Sequence, residues 1–164
     1  MIYENLRELE VKQYRVRNEC TVFQAELLCI YLSVNWFENH AAQFCGKTIL
    51  LCTDSLSSLL FLQDISTTNK LAVEIQVLVR VLQRKFTFIK FAFVRGHTGV
   101  FGNELADQLA KLSTSLSTIS HDLCIPKSYW KRQYYEEMIH KWNREYLNSS
   151  NAVWTKQFFP SVRL

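Results

Sequence analysis

The sequence predicts an α/β fold, and three observations predict it. Thr48–Cys52 and Phe86–Val94 are compact apolar runs of strand length, and the stretch from Asn69 to Arg84 between them reads as a helix. Strands that are apolar on both faces pair parallel under helical cover. The chain has 164 residues, 48% of them hydrophobic and 13% aromatic, which is enough to bury the core of one globular domain.

The elements follow in order. MIYE (Met1–Glu4) and the run ELEVKQYRV (Glu8–Val16) read as short strands around Asn5-Leu6-Arg7, a hairpin. Thr21, with Gln24 three residues on, forms a capping box that opens a first helix over Val22–Phe37. That helix is apolar nearly all round and is expected to be buried. The Thr48–Cys52 strand ends in Thr53-Asp54-Ser55 and feeds a short helix through Leu62. After the second apolar strand, Arg95–Asn103 (RGHTGVFGN) is a glycine-punctuated loop, and Asn103 is expected to cap a helix through about Leu112. The Ser/Thr-rich stretch from Lys111 to Ser120 marks a connection, dividing a main body, 1–115, from a linker and C-terminal segment, 116–164. Within that segment Ser128–Leu147 carries Trp130, Tyr134, Met138, Trp142 and Tyr146 at helical spacing, before an irregular end with Trp154, Phe158 and Phe159.

Composition excludes several classes. The longest apolar run, Leu27–Phe37, is interrupted by Ser33 and Asn35 and falls short of the roughly 20 residues of a membrane helix, so no membrane span is expected. The first residues lack the basic and apolar regions of a secretory signal. Five cysteines with no Cys-x-x-Cys pair suit free thiols in a reducing, intracellular compartment, cytoplasm or nucleus. The net charge is +4; residues 1–115 hold 12 basic and 11 acidic groups and residues 116–164 hold 7 and 4, so the excess lies in the tail, compatible with an acidic partner.

Three carboxylates and one histidine stand out. Glu26 is the only charge between Thr21 and Phe37, and a carboxylate on a buried helix needs either a Lys or Arg partner, an escape at the helix edge, or a metal ion. Asp54 follows a buried strand at its C-terminal end, where ligands of open α/β sheets collect and where turn formers also sit. Asp107 lies one turn into its helix with Glu104 before it, a place where a solvated acidic turn favoured by the helix dipole is the ordinary reading. His97, alone, reads as a loop hydrogen-bonding group. His40, His121 and His140 show no metal-ligand spacing.

Taken together, TVFQAELL (Thr21–Leu28), LLCTDSLSS (Leu50–Ser58) and above all FVRGHTGVFGNELADQLAK (Phe93–Lys111) resemble the signature segments of type 1 ribonuclease H, in their usual order and spacing. More narrowly, CTVFQAELL and the downstream Trp142, Trp154 and FFP resemble the ribonuclease H region of non-LTR retrotransposons of animals. The resemblance implies a mixed sheet with helices on both faces. Residues 2–16 match that family's second and third strands, and its first, central strand, which bears an Asp, has no counterpart after Met1. A C-terminal helical tail follows the body. The implied activity is metal-dependent endonucleolytic hydrolysis of RNA in RNA/DNA hybrids, with two Mg²⁺ ions, or Mn²⁺, as cofactors. Glu26, Asp54 and Asp107 would be three of the four metal ligands, and His97 would match the mobile-loop histidine. Crowding of these carboxylates would raise at least one pKa. The alternative is a catalytically degraded retrotransposon remnant that only binds nucleic acid. Glu8 and Glu10 belong to the third-strand segment and are not expected to replace the missing Asp. Lys127, Lys131, Arg132, Lys141 and Arg144 interleave with the tail aromatics, either as a phosphate-tracking face or as the solvated side of a helix packed on the body.

Overall fold

Local capping chemistry places the helices. The Thr21 hydroxyl accepts from Gln24 N at 3.2 Å and Gln24 Oε1 accepts from Thr21 N at 3.1 Å, closing the capping box that starts α1 (Val22–Asn39). Ser55 caps α2 (Leu56–Gln63), and Asn69 caps α3 (Lys70–Arg84) by accepting from Ala72 N at 3.2 Å. These details come from a computed structural model that describes residues 1–4, 7–85 and 87–162. The Asn5-Leu6 turn and Phe86, expected to open the second strand, lie outside the described residues.

The chain divides into two compact units, Met1–Leu123 and Cys124–Leu164. In the first, β1 (Ile2–Glu4) pairs antiparallel with β2 (Arg7–Glu10), and β3 (Thr48–Thr53) pairs parallel with β4 (Phe88–Phe93) from Thr48 opposite Phe88 to Thr53 opposite Phe93. The hairpin is shorter than the alternation suggests, because the chain beyond Glu10 turns to other partners. Gln13 Nε2 donates to Leu109 O at 2.8 Å, the Arg15 carbonyl accepts from Ser120 N at 2.8 Å, and Arg17 pairs with Asp122 at 2.5 Å. Those contacts also hold residues 116–122 to the first unit. His121 packs edge-on against Tyr14, ring centroids 5.1 Å apart.

The core lies where α1 and α3 cover one face of the parallel pair. Leu27, Ile30, Val34 and Phe37 of α1 meet Ala72, Ile75 and Leu82 of α3, with Ile49 and Ile89 rising from the strands. Each fully buried Leu or Ile contributes roughly 1.5–3 kcal/mol relative to exposure. Thr87, fully buried, donates its hydroxyl to Phe44 O at 3.1 Å and pins the start of β4. The structure corrects two expectations of burial. α1 is buried on one side only, since Val22 and Cys29 are exposed. The strands are likewise covered on one face only: Leu50 and Cys52 of β3 and Phe88 and Lys90 of β4 remain exposed.

The chain is mixed α/β, as expected, but among the described residues its strands form two two-stranded sheets and not one mixed sheet. Among the described residues no backbone pairs join β1 to β3, so each keeps an unpaired edge. The two sheets are linked instead by a side-chain pair, Lys47 Nζ to Glu4 Oε1 at 2.5 Å. Between the hairpin and α1 lies a cavity of about 200 Å³ lined by Ile2, Glu10, Tyr14, Cys29, Leu32 and Trp36, among others. After β4 comes α4 (Phe101–Ser113).

In the second unit α5 (Lys127–Asn148) is followed by a 3₁₀ turn and α6 (Val153–Phe158), so the expected irregular end is partly helical. Tyr146 donates its hydroxyl to Phe159 O at 2.7 Å, Val162 N donates to Asn143 Oδ1 at 3.0 Å, and Lys156 Nζ donates to Leu147 O at 2.8 Å and Ser149 O at 2.6 Å. These bonds fold the end of the chain back on α5. No helix among the described residues is long and apolar enough to cross a membrane.

Candidate active site

The carboxylates singled out by sequence are arranged around the C-terminal end of the parallel pair. Asp54 follows Thr53, the last residue of β3, and the backbone turns at once: Ser55 N donates to Thr53 Oγ1 at 3.1 Å and Leu56 N to Asp54 O at 3.1 Å. This turn leaves Asp54 exposed and drives Ser55 inward, where it is 4% exposed. Ser55 donates its hydroxyl proton to Glu26 Oε2, and the same oxygen accepts from Ser58 N at 3.3 Å and lies 2.7 Å from Ser58 Oγ. Glu26, half-buried on the second turn of α1, is thus held by a seryl hydroxyl, and among the described residues no Lys or Arg pairs with it. A charge-assisted bond of this kind offsets much of the cost of partly desolvating a carboxylate.

The loop after β4 closes on Asp54 from the other side. A Cβ at Gly96 would sit 3.2 Å from Asp54 Oδ2, tighter than ordinary packing, so the residue there must be glycine for the carboxylate to keep its place. Asn103 Nδ2 donates to that same Oδ2 at 3.2 Å. Asn103 does not cap its helix as the sequence suggests; α4 begins at Phe101, with Val100 at the cap position, and Asn103 sits in the first turn with its amide turned to Asp54. Between these contacts His97 has φ of 56° and Gly99 φ of 78°, two left-handed positions in one tight loop that Thr98 Oγ1 closes by donating to Arg95 O at 2.7 Å. A left-handed histidine is strained by of order 1 kcal/mol, and here the ring is presented to solvent.

Asp107, one turn beyond Asn103 on α4, pairs with Lys111 Nζ at 2.7 Å. That bond holds the Asp107 carboxyl below the usual carboxylate range against the opposing effect of desolvation, and the charge of Lys111 and of His97 acts in the same direction as the bond. The expected rise from carboxylate crowding is therefore not found at Asp107: its nearest charge is a lysine. Lys111 is raised in turn.

The fold thus links Glu26, Ser55, Asp54, Gly96 and Asn103 by direct contact and sets His97 and Asp107 beside them, but it does not gather the carboxylates around one point. Among the described residues no three His, Cys, Asp or Glu side chains stand close enough to hold a metal ion. Oxygen donors of this kind suit a hard divalent cation. As arranged, each is tied to a protein donor, and the set does not close a metal centre by itself. Comparison with protein-family models, with curated proteins and with solved structures finds no match.

Sequence reading misses the serines. Their signal is present, since three of the four residues Ser55–Ser58 are serine at the start of a helix whose next five residues, Leu59 to Gln63, are apolar except for Gln63. That Ser55 meets a carboxylate 29 residues earlier depends on how α1 and α2 pack.

Proposed function

We propose that this chain is a ribonuclease H-type domain directed to the RNA strand of RNA/DNA hybrids, its reaction metal-dependent hydrolysis with Mg²⁺ or Mn²⁺. One observation carries the proposal. The three signature segments, far apart in sequence, are brought into contact at the end of a parallel strand pair through Ser55–Glu26 and Asn103–Asp54, which supports reading them as parts of one site. The antiparallel hairpin and the parallel pair are both compatible with the mixed sheet that the resemblance implies. Glu26, Asp54 and Asp107 are the proposed acidic residues and His97 the loop histidine beside them.

A second reading, hybrid binding without cleavage in a degraded retrotransposon-derived domain, is favoured by the absence, among the described residues, of any three potential ligands grouped for a metal. One experiment decides between them. Purified 1–164 is mixed with a labelled RNA/DNA hybrid and with single-stranded RNA, in Mg²⁺ or Mn²⁺, beside Asp54→Asn. Cleavage confined to the hybrid and lost in the variant supports hydrolysis. Salt-sensitive hybrid binding without cleavage supports the second reading, and fusing an Asp-bearing strand ahead of Met1 then tests whether an added carboxylate restores cutting. Neither binding nor cleavage by the folded chain overturns both.

A further inference from the structure

We propose that α5 carries a separate docking face for single-stranded nucleic acid. The helix has two sides of different character. Tyr129, Gln133, Ile139, Asn143 and Tyr146 are its partly buried positions. At about 100° per residue, Trp130, Tyr134, Met138 and Trp142 fall in one arc of roughly 120° on the opposite side. They are 47%, 66%, 51% and 53% exposed. Lys127, Lys131 and Lys141, also exposed, project from that same arc, against one acidic residue, Glu145.

The mixture selects the partner. A helix bound at a membrane surface segregates its basic residues to the side opposite its aromatics. The core of a protein interface is depleted of lysine. Here the lysines interleave with the rings, so that a chain laid along the face meets flat π-surfaces and positive charges together. An unpaired nucleic-acid strand offers that combination, bases free to stack and a phosphate at every residue. A duplex does not, because its bases are already stacked on each other. The Trp130 and Tyr134 centroids lie 6.4 Å apart with the rings inclined by 32°, a stepped platform rather than a closed aromatic cluster. Charge points the same way: residues 124–164 hold seven basic and three acidic groups.

The test measures fluorescence anisotropy of a labelled single-stranded oligo(dT) titrated with 1–164, without divalent metal, over a series of KCl concentrations. The wild-type chain is expected to bind. Trp130→Ala and Tyr134→Ala are each expected to weaken binding about tenfold. Lys131→Ala should lower the slope of log affinity against log salt by about 0.7, the contribution of one phosphate contact on a single strand. All three positions are exposed, so circular dichroism should show unchanged helicity. Failure of the folded wild-type chain to bind overturns the proposal, as do variants that bind like wild type. Loss of self-association in sedimentation as the only effect of Trp130→Ala would also overturn it, by assigning the face to a second copy. Hybrid cleavage, measured separately, is expected to be unchanged in these variants, so its presence or absence leaves this result intact.

Discussion

Ser55→Ala is the perturbation that most directly probes the buried base of the site. The serine oxygen makes four contacts at once: it donates to Glu26 Oε2, accepts from Ser58 N as the cap of α2, lies 2.7 Å from Ser58 Oγ, and lies 3.2 Å from Ser57 Oγ. Loss of a helix cap costs about 1 kcal/mol. A hydrogen bond to a charged group contributes about 1.5–3 kcal/mol. Ser58 is fully buried, and removing its seryl neighbour withdraws a partner where water cannot readily replace it. These terms share one oxygen and are not additive, so the expected destabilisation is about 2–4 kcal/mol. At about 4 °C per kcal/mol for a unit of this size, the melting temperature should fall by about 8–16 °C. Thermal and urea denaturation followed by circular dichroism measure it. Ser57→Ala is the control, since Ser57 is exposed and its 3.2 Å contact with Ser55 is peripheral; it should stay within about 0.5 kcal/mol of wild type. A Ser55→Ala melt within about 0.5 kcal/mol of wild type would refute the reasoning that this hydroxyl sustains Glu26.

The other predictions separate chemistry from stability. Asp54→Asn should abolish hybrid cleavage while leaving the melt within about 0.5 kcal/mol of wild type, because Asp54 is exposed and an Asn oxygen can still accept from Asn103; retained cleavage removes Asp54 from the site. Gly96→Ala should also spare the fold, since a flexible carboxylate end is what its Cβ would displace, yet reduce cleavage; full activity would show that the Asp54 position is not critical. His97→Gly relieves a left-handed histidine and should raise stability by about 0.5–1 kcal/mol while impairing turnover, and an unfolding curve together with a cleavage rate tests both halves. Asp107 titrates below the ordinary carboxylate value in the folded chain, so its pairing stabilises above that value and is lost as pH falls through the lowered one. Lys111→Met should return the Asp107 titration, followed by carbon-detected NMR, toward the ordinary range; an unmoved titration would mean that Lys111 is not its cause.

The parts of this protein legible in its sequence are those fixed by short-range chemistry. Thr21 and Gln24, and Asn69 with Ala72, act over three residues, and the helices they start are where the caps place them. The parallel pairing of Thr48–Thr53 with Phe88–Phe93 follows from two apolar runs joined through helix. The extent of burial is less than those runs suggest, because an apolar run does not say how many faces have a neighbour: Leu50 and Phe88 are apolar and exposed.

At the site, sequence alone determined which carboxylates to consider, since Glu26, Asp54 and Asp107 sit in the three segments that resemble ribonuclease H signatures. Tertiary structure decided what each of them touches. Ser55 reaches Glu26 across 29 residues and Asn103 reaches Asp54 across 49, and the separation of β1 from β3 is a matter of backbone edges meeting or failing to meet. The physical reason is range. Propensity and capping act within a turn or two, whereas the partner of a half-buried charge is chosen by whichever donor the packing of separate elements brings within about 3 Å.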